Sequence, residues 1–340
     1  MQSYSYQKNR WSHSQMIALL LLLLPLFSQS QVKPMDIDLK GLEYPFPVKY
    51  IRLDIQKQPY QMAYMDLEPA KSNGKAIVLL HGKNFSGAYW KQTAEALLEA
   101  GYRVVMPDQI GFGKSSKPQW FQYSFQQLAT NTKILLDTLG IEKVVVLGHS
   151  MGGMVAVRFT LMFPETVSKL VLENPIGLED YKMKVPYQTI DELYQKELKQ
   201  TAASIKKYQL TYYYDNKWKP EYDEWLNLTA GWTMGKDYPL IAWNNALTTD
   251  MIITQPVFYE LPNIKVPTLL IIGQRDRTAL GKDLVSPEVK ETMGYYPELG
   301  KQTKAKIPDS ELVEIEGTGH LPHIESFDQF IKPLFAFLKD

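Results

Sequence analysis

Ser150 stands in a sequence pattern that suits a nucleophile. It occupies the centre of the pattern G-x-S-x-G at 148–152, directly after the apolar run 144–147, and an apolar helical pattern follows. A strand that turns sharply into a helix exposes a serine hydroxyl above the sheet, and the N–H groups that open the helix favour negative charge beside it. The spacing therefore predicts a serine nucleophile with an oxyanion site next to it. The motif alone also fits an ordinary glycine-rich connection.

The histidines are placed to supply the base that a serine nucleophile needs, because a serine hydroxyl is unreactive at neutral pH without one. Four of the five histidines fall in glycine-rich turns that follow strand-like runs: His81, His149, His320 and His323. Scattered surface or core histidines would not be expected to cluster on such turns. Their distribution therefore favours a functional site.

The composition excludes several classes of function. The chain has 340 residues, 45% hydrophobic and 22% charged, which is ample for one large domain or for a domain with an insertion. Lys plus Arg and Asp plus Glu both number 37, with no basic stripe and no acidic tail, so nucleic acid is not an expected partner. The absence of cysteine rules out disulfides and thiol catalysis.

Residues 1–30 are predicted to be a signal peptide. Positive charges precede the apolar run 16–27, and the small residues Ser28 and Ser30 flank a cleavage position that would leave Gln31 as the mature start. The apolar run is short for a transmembrane span, with an uncleaved signal anchor as the alternative. We therefore expect an exported protein, periplasmic or secreted, with no stable membrane anchor after cleavage.

The order of elements predicts a sheet that carries helices on both faces. Residues 47–56 and 60–69 alternate apolar and polar, as an antiparallel pair would. Continuous apolar runs, typical of strands buried on both faces, follow at 76–80, 103–106, 143–147, 168–172 and 268–272. Helical patterns lie between several of these runs, at 90–100, 125–139 and 151–163. This alternation predicts parallel strands joined by right-handed crossovers.

Residues 176–262 interrupt this rhythm. The segment is long, helical in texture and aromatic, with Tyr212, Tyr213, Tyr214, Trp218, Tyr222, Trp225, Trp232 and Trp243. We expect it to be a lid inserted into a core formed by 31–175 and 263–340. A helical decoration without a role in substrate binding is the alternative, because aromatic residues are more often core than pocket. A further stretch without periodicity, 277–308, separates the last two strands.

Together these motifs resemble those of the α/β-hydrolase fold superfamily, in the branch whose lid follows the sixth strand. The resemblance covers nearly all of 45–340. The motifs that carry it are His81-Gly82, Asp108-Gln109-Ile110-Gly111-Phe112-Gly113-Lys114-Ser115, Gly148-His149-Ser150-Met151-Gly152-Gly153, Gly273-Gln274-Arg275-Asp276, and Gly319-His320 followed by Pro322-His323-Ile324-Glu325. The resemblance implies an α/β fold with a mostly parallel, doubly wound sheet of eight strands and a helical cap. It does not define the substrate, because this fold hosts esterases, lactonases, C–C hydrolases, peptidases and receptors.

The resemblance implies a catalytic triad of Ser150, Asp276 and His320, in the chain order that this fold uses. His320 would be the base, placed by a glycine-rich loop, and Asp276 would orient it and stabilise the imidazolium. His323 is the competing base. Glu173 is an alternative acid, since some relatives place theirs after the preceding strand. Asp276 is flanked by two arginines and could instead be a helix cap or a salt-bridge partner.

The backbone N–H groups of Lys83 and Met151 are expected to form the oxyanion hole, with Gly82 letting the chain turn toward the substrate carbonyl. The side chain of Lys83 could meet a substrate carboxylate, but we expect a solvated lysine. Asn84 opens a glycosylation pattern, and a glycan there would crowd the site. This favours a bacterial envelope over a eukaryotic secretory route.

The remaining motif residues are expected to be structural. His81 and His149 would be buried and bonded to backbone, and Asp108 would brace the loop around His81 together with the turn at Gly111 and Gly113. No histidines or cysteines have the spacing of a metal site, and no phosphate-binding loop is present, so neither a metal nor a cofactor is expected.

These expectations predict an exported serine hydrolase that cleaves a carboxylic ester or lactone through an acyl-enzyme. Its partner would be a small-molecule substrate, apolar or aromatic and of modest size. Hydrolysis of a C–C bond or an amide by the same triad is one alternative. A ligand-binding receptor on this fold with little turnover is another.

Overall fold

The structure is a computed structural model that describes residues 1–3 and 32–339. The predicted signal peptide, residues 1–30, lies outside the described residues except for its first three. No helix in the described ranges combines the length and the apolar character needed to cross a membrane.

Eight strands form a single mixed sheet: β1 (Lys49–Ile55), β2 (Gln58–Leu67), β3 (Ala76–Leu80), β4 (Arg103–Pro107), β5 (Val144–His149), β6 (Val167–Glu173), β7 (Thr268–Gly273) and β8 (Ser310–Ile315). Their order is β1-β2-β4-β3-β5-β6-β7-β8. The pairs β1–β2 and β2–β4 are antiparallel, and all other neighbours are parallel. The predicted runs begin and end within two residues of these strands.

The helices of the described chain flank this sheet or join its strands. They are α1 (Lys91–Glu99), α2 (Phe125–Thr138), α3 (Met151–Met162), α4 (Ile190–Glu197), α5 (Ala202–Tyr212), α6 (Asp223–Trp232), α7 (Tyr238–Thr254), α8 (Pro287–Thr292), α9 (Tyr296–Lys306), α10 (Pro322–Glu325) and α11 (Phe327–Lys339). The three helical patterns predicted before residue 170 correspond to α1, α2 and α3.

Strand side chains alternate between two hydrophobic cores, one on each face of the sheet. In β3, Val78 and Leu80 belong to the first core, whereas Ile77 and Leu79 belong to the second. Helices α2, α3 and α9 cover the first core, and helices α1 and α11 cover the second. Because both faces are covered, the parallel strands read in the sequence as continuous apolar runs.

Two long segments connect the last three strands, one between β6 and β7 and the other between β7 and β8. Between β6 and β7 the chain forms α4 to α7, in agreement with the helical texture of 176–262, and α4 packs on α7 while α5 packs on α6. We call residues 176–262 the inserted segment. The stretch 277–308, expected to be without periodicity, contains α8 and α9.

Helix α9 was not predicted because only one of its buried residues is a large hydrophobic residue. Its buried face consists of Tyr296, Gly300 and Thr303. Gly300 lets the helix approach the sheet closely, since a Cβ there would lie 3.3 Å from Ile272 Cγ1 and from Leu312 Cδ1. A small residue at the contact therefore removes the apolar periodicity by which a helix is normally recognised.

Candidate active site

Ser150 sits on a strained turn between β5 and α3. Its backbone has φ 55° and ψ −121°, a conformation that residues other than glycine rarely adopt. The turn is tight because Gly148 and Gly152 bring backbone against backbone: a Cβ on Gly148 would overlap the Gly152 carbonyl, and one on Gly152 would overlap the Leu80 carbonyl. The two glycines that flank the serine are therefore required for its position at the end of the sheet.

The structure brings Ser150, His320 and Asp276 together. His320 Nε2 lies 3.0 Å from Ser150 Oγ, and His320 Nδ1 lies 2.6 Å from Asp276 Oδ2. The three residues follow β5, β8 and β7, whose carboxyl ends meet at one edge of the parallel sheet. His320 and Asp276 are 1% and 0% exposed, so water does not compete for the bond between them. This arrangement can draw the proton from a serine hydroxyl.

Asp276 accepts hydrogen bonds from three directions. Besides His320, the Asn174 side-chain amide donates to Oδ2 at 2.8 Å, and the Thr278 N–H donates to Oδ1 at 2.8 Å. Burial on its own would raise the pKa of Asp276, but the charge of His320 and the hydrogen bonds from His320 and Thr278 outweigh it and lower the pKa below its ordinary value. Asp276 is therefore a carboxylate at neutral pH.

Asn174 is a site residue that the sequence analysis missed. It directly follows β6, with φ 37°, and its side chain also accepts a hydrogen bond from the Gly273 N–H at 2.9 Å. Asn174 thus holds both Asp276 and the end of the strand that leads to it. Its only signal in the sequence is its position one residue beyond a buried strand.

Glu173 and His323 contact each other rather than the serine. Glu173 Oε1 lies 2.8 Å from His323 Nδ1 and accepts a further bond from the His323 backbone N–H at 2.8 Å. The His323 ring stacks on Trp90, with 4.2 Å between ring centroids. Both residues that competed for triad positions therefore form a buried pair behind the site.

Each expected oxyanion donor lies next to the serine or next to a residue that contacts it. Met151 is the first residue of α3, so its N–H has no carbonyl within the helix to bond. Gly82 packs against the serine, since a Cβ on Gly82 would lie 3.1 Å from Ser150 Cβ. In the described part of the chain, the Lys83 N–H has no hydrogen-bond partner. A substrate carbonyl could therefore take both N–H groups.

A chain of buried hydrogen bonds connects the Gly82 backbone, next to Lys83, to the backbone of His320. The Gly82 N–H donates to Tyr89 Oη at 2.8 Å, Tyr89 Oη lies 2.9 Å from His149 Nδ1, and His149 Nε2 lies 2.7 Å from the His320 carbonyl oxygen. A carbonyl oxygen only accepts, so Nε2 must carry the proton. Nδ1 of the neutral ring then accepts from the tyrosine hydroxyl.

The environment of His149 keeps this ring neutral. Burial, followed by the charges of His320 and His323, lowers the pKa of His149 well below its ordinary value. His81 is similarly buried: its Nδ1 lies 2.8 Å from the Gly82 carbonyl oxygen, and its Nε2 accepts from the Gln109 N–H at 2.9 Å. Both histidines are thus buried and bonded to backbone, as expected.

Asp108 braces the loops around His81. Its carboxylate accepts the Gly87 N–H, the Lys114 N–H and the Tyr44 hydroxyl, each at 2.7 Å. Among the residues that the structure describes, no three His, Cys, Asp or Glu side chains are grouped as a metal site requires.

A cavity of about 380 Å³ opens beside Ser150 and is lined by both the core and the inserted segment. Its walls combine apolar and polar side chains, among them Lys83, Phe85, Ile176, Leu193, Glu197, Ile205, Gln209, Tyr213, Ile241 and Thr278. Of the eight aromatic residues noted in the inserted segment, Tyr212, Tyr213 and Trp232 line the cavity. Tyr214 and Tyr222 instead stack on each other, with 3.6 Å between ring centroids.

The hydrogen-bond chain through Tyr89 predicts a stability difference between two buried tyrosines. Tyr89→Phe leaves the Gly82 N–H and His149 Nδ1 unpaired, whereas Tyr102→Phe leaves one partner, the Leu338 carbonyl, 3.1 Å from the lost hydroxyl. We expect the free energy of unfolding in urea to fall by about 2–4 kcal/mol for Tyr89→Phe and by about 1 kcal/mol for Tyr102→Phe. Equal losses would contradict the chain of bonds derived for His149.

Comparison with known proteins places the chain in a family. The alpha/beta hydrolase fold profile matches residues 75–327. The crystal structure of a probable hydrolytic enzyme from Pseudomonas aeruginosa PAO1 is 47% identical, with a TM-score of 0.90, and the match covers 92% of this chain and 100% of that one.

More distant relatives differ in the reactions that they are named for. A 2-hydroxy-6-oxononadienedioate/2-hydroxy-6-oxononatrienedioate hydrolase from Comamonas testosteroni is 26% identical over 280 residues, which is 78% of this chain and 88% of the relative. An esterase from Exiguobacterium antarcticum shares the fold at 22% identity with a TM-score of 0.65, over 83% of this chain and 96% of its own. Because the family profile spans most of its length, the chain belongs to the alpha/beta hydrolase fold family.

Proposed function

We propose that the protein is a serine hydrolase that cleaves a carboxylic ester or lactone through an acyl-enzyme. The observation that carries this proposal is the bonded series Ser150–His320–Asp276, whose serine lines a cavity of small-molecule size. The three residues have the mutual geometry that a nucleophile, its base and the orienting acid require.

The proposed reaction follows from these positions. Ser150 Oγ attacks the substrate carbonyl while its proton passes to His320 Nε2, and Asp276 stabilises the imidazolium. The N–H groups of Lys83 and Met151 bind the oxyanion, each worth about 3 kcal/mol at the transition state. His320 then gives the proton to the departing alkoxide. Water repeats the sequence on the acyl-enzyme and releases the acid.

Hydrolysis of a C–C bond by the same triad is the second candidate. It is favoured by the relative from Comamonas testosteroni, whose name describes a hydrolase of dienedioate substrates. We rank ester or lactone cleavage first because an alkoxide needs only the proton that His320 already holds. A carbon leaving group must also be stabilised as a carbanion or protonated at carbon. Amide cleavage and ligand binding with little turnover remain the other candidates.

Substitutions in the triad test the chemistry. We expect Ser150→Ala and His320→Ala to lower kcat for 4-nitrophenyl butyrate by about 10⁴-fold or more, and Ser150→Ala to abolish labelling by a fluorophosphonate. His323→Ala, which removes a buried histidine that does not contact Ser150, should retain labelling.

Product analysis separates the candidates. An acid and an alcohol from simple esters or lactones, with a burst of alcohol, support the proposal. Normal ester turnover by Ser150→Ala would contradict it. Cleavage of a vinylogous 1,5-diketone without any ester turnover would replace it with C–C hydrolysis, and tight ligand binding without a product burst would indicate a receptor.

The inserted segment, residues 176–262, is proposed to act as the lid of this site, over a core of 31–175 and 263–340. Two contacts support this role. Tyr213, at the end of α5, stacks on the His320 ring with 5.0 Å between centroids, and Ile205 of the same helix lines the cavity. The segment would thus cover the base and shape the substrate pocket.

A bulky residue in α5 should restrict the enzyme to esters with shorter acyl chains. We expect Ile205→Trp to lower kcat/KM for the longest accepted 4-nitrophenyl ester by about tenfold or more relative to the acetate. Ile190→Trp is the matched control, because Ile190 is also half-buried in the inserted segment but does not line the cavity. An identical chain-length profile in both variants would argue against the lid.

Export is also proposed, on the charge and apolar pattern of residues 1–30. When the full chain is expressed in a bacterial host, we expect the protein in the periplasm or medium, with Gln31 as its first residue by N-terminal sequencing. Leu20→Arg, which breaks the apolar run, should keep it in the cytoplasm with the leader intact. Wild-type protein that retains Met1 would overturn the proposed cleavage.

A further inference from the structure

The Lys83 side chain lies in the wall of the active-site cavity. It is 14% exposed, so the expectation of a solvated lysine is wrong. Lys83 and Ser150 line the same cavity, and the backbone that leads into Lys83 packs against the serine. The Lys83 side chain therefore belongs to the same cavity wall as the nucleophile.

This ammonium lacks close hydrogen-bond acceptors. A lysine has three N–H donors, but Lys83 Nζ is 3.5 Å from Asn84 Oδ1 and 3.9 Å from Glu197 Oε1. Good N–H···O bonds are shorter than either distance. Burial lowers the pKa of Lys83, and the charge of Glu197 opposes this effect without reversing it. The group is thus desolvated and without a well-bonded counter-ion.

Two other lysines of the cavity wall differ from Lys83. Lys282 donates to two backbone carbonyls, those of Arg277 at 2.9 Å and Met293 at 3.0 Å. Lys196 bonds Asp283 at 2.6 Å. Both have acceptors at normal hydrogen-bond distance, whereas Lys83 lacks one.

We propose that the Lys83 side chain is an anion-binding subsite of this cavity, and that the substrate is an ester or lactone that carries a carboxylate. The inference rests on the proposed function and names its substrate class. One residue would then serve twice: its N–H would bind the oxyanion, and its ammonium would bind the carboxylate. Fixing the carboxylate would place the reacting carbonyl against Ser150.

The ratio of kcat/KM for a charged ester to kcat/KM for its neutral counterpart tests the subsite. The carboxylate is placed in the acyl half of one substrate pair and in the leaving group of the other. Mono-(4-nitrophenyl) glutarate and its methyl ester compare an acyl carboxylate with a neutral group, and 4-acetoxybenzoate and its methyl ester do the same for the leaving group. We expect the charged member of at least one pair to have the higher kcat/KM. Lys83→Met and Lys83→Gln should lower that charged-to-neutral ratio by about tenfold or more. Lys83→Arg should retain most of it, and Lys217→Met, at a surface lysine 81% exposed, should leave it unchanged.

A binding measurement keeps the test independent of the chemistry. Ser150→Ala is titrated with monomethyl glutarate and with dimethyl glutarate, using ligand-observed NMR. We expect the monoester to bind about tenfold tighter or more, and the difference to vanish in the Ser150→Ala, Lys83→Met double variant.

The two proposals fail in distinguishable ways. Equal binding of both esters, no binding of either, or a preference that survives Lys83→Met would overturn the anion subsite, whatever the enzyme hydrolyses. Lys83-dependent binding of the monoester without turnover of any ester would uphold the subsite and reject ester hydrolysis.

Discussion

The hydrogen bond between His320 and Asp276 joins two loops that follow neighbouring parallel strands, and it forms where water is excluded. A buried carboxylate is costly unless it is bonded, and Asp276 is bonded from three sides, by His320, Asn174 and Thr278. The same contacts set the orientation of the imidazole, whose other nitrogen then meets Ser150. The site therefore depends on this one interaction being complete, and three separate segments of the chain must be in place for that.

Support for the site extends through a second set of buried groups. The chain of bonds from Gly82 through Tyr89 and His149 to the His320 carbonyl connects the expected oxyanion backbone to the loop that carries the base. Because His149 is neutral and has one defined tautomer, each of its ring nitrogens has a definite partner. Such a network loses stability when a single member is removed, since the remaining partners cannot reach water. It positions the two halves of the site relative to each other.

The aromatic residues of the inserted segment divide between two roles. Tyr212, Tyr213 and Trp232 line the cavity, whereas Tyr214 and Tyr222 stack on each other and stabilise the segment. Charged groups also line the wall, with Lys83 Nζ from the core 3.9 Å from Glu197 Oε1 of α4. A charged group without a close partner in a partly closed site favours substrates of complementary charge, whereas an apolar wall would favour substrates by size alone.

The amino-acid sequence by itself determined the strands, the crossover helices and the serine turn. Local rules govern these features: alternation or continuity of apolar residues within a strand, helical periodicity, and glycines where two backbones touch. Helix α9 was missed for the same reason, because part of its contact with the sheet is made through Gly300, which adds no apolar residue to the pattern. Only the tertiary structure decided which carboxylate meets His320, why His323 pairs with Glu173 instead, and that Lys83 is enclosed. These outcomes depend on distances between segments far apart in the chain, and no pattern within one segment records such a distance.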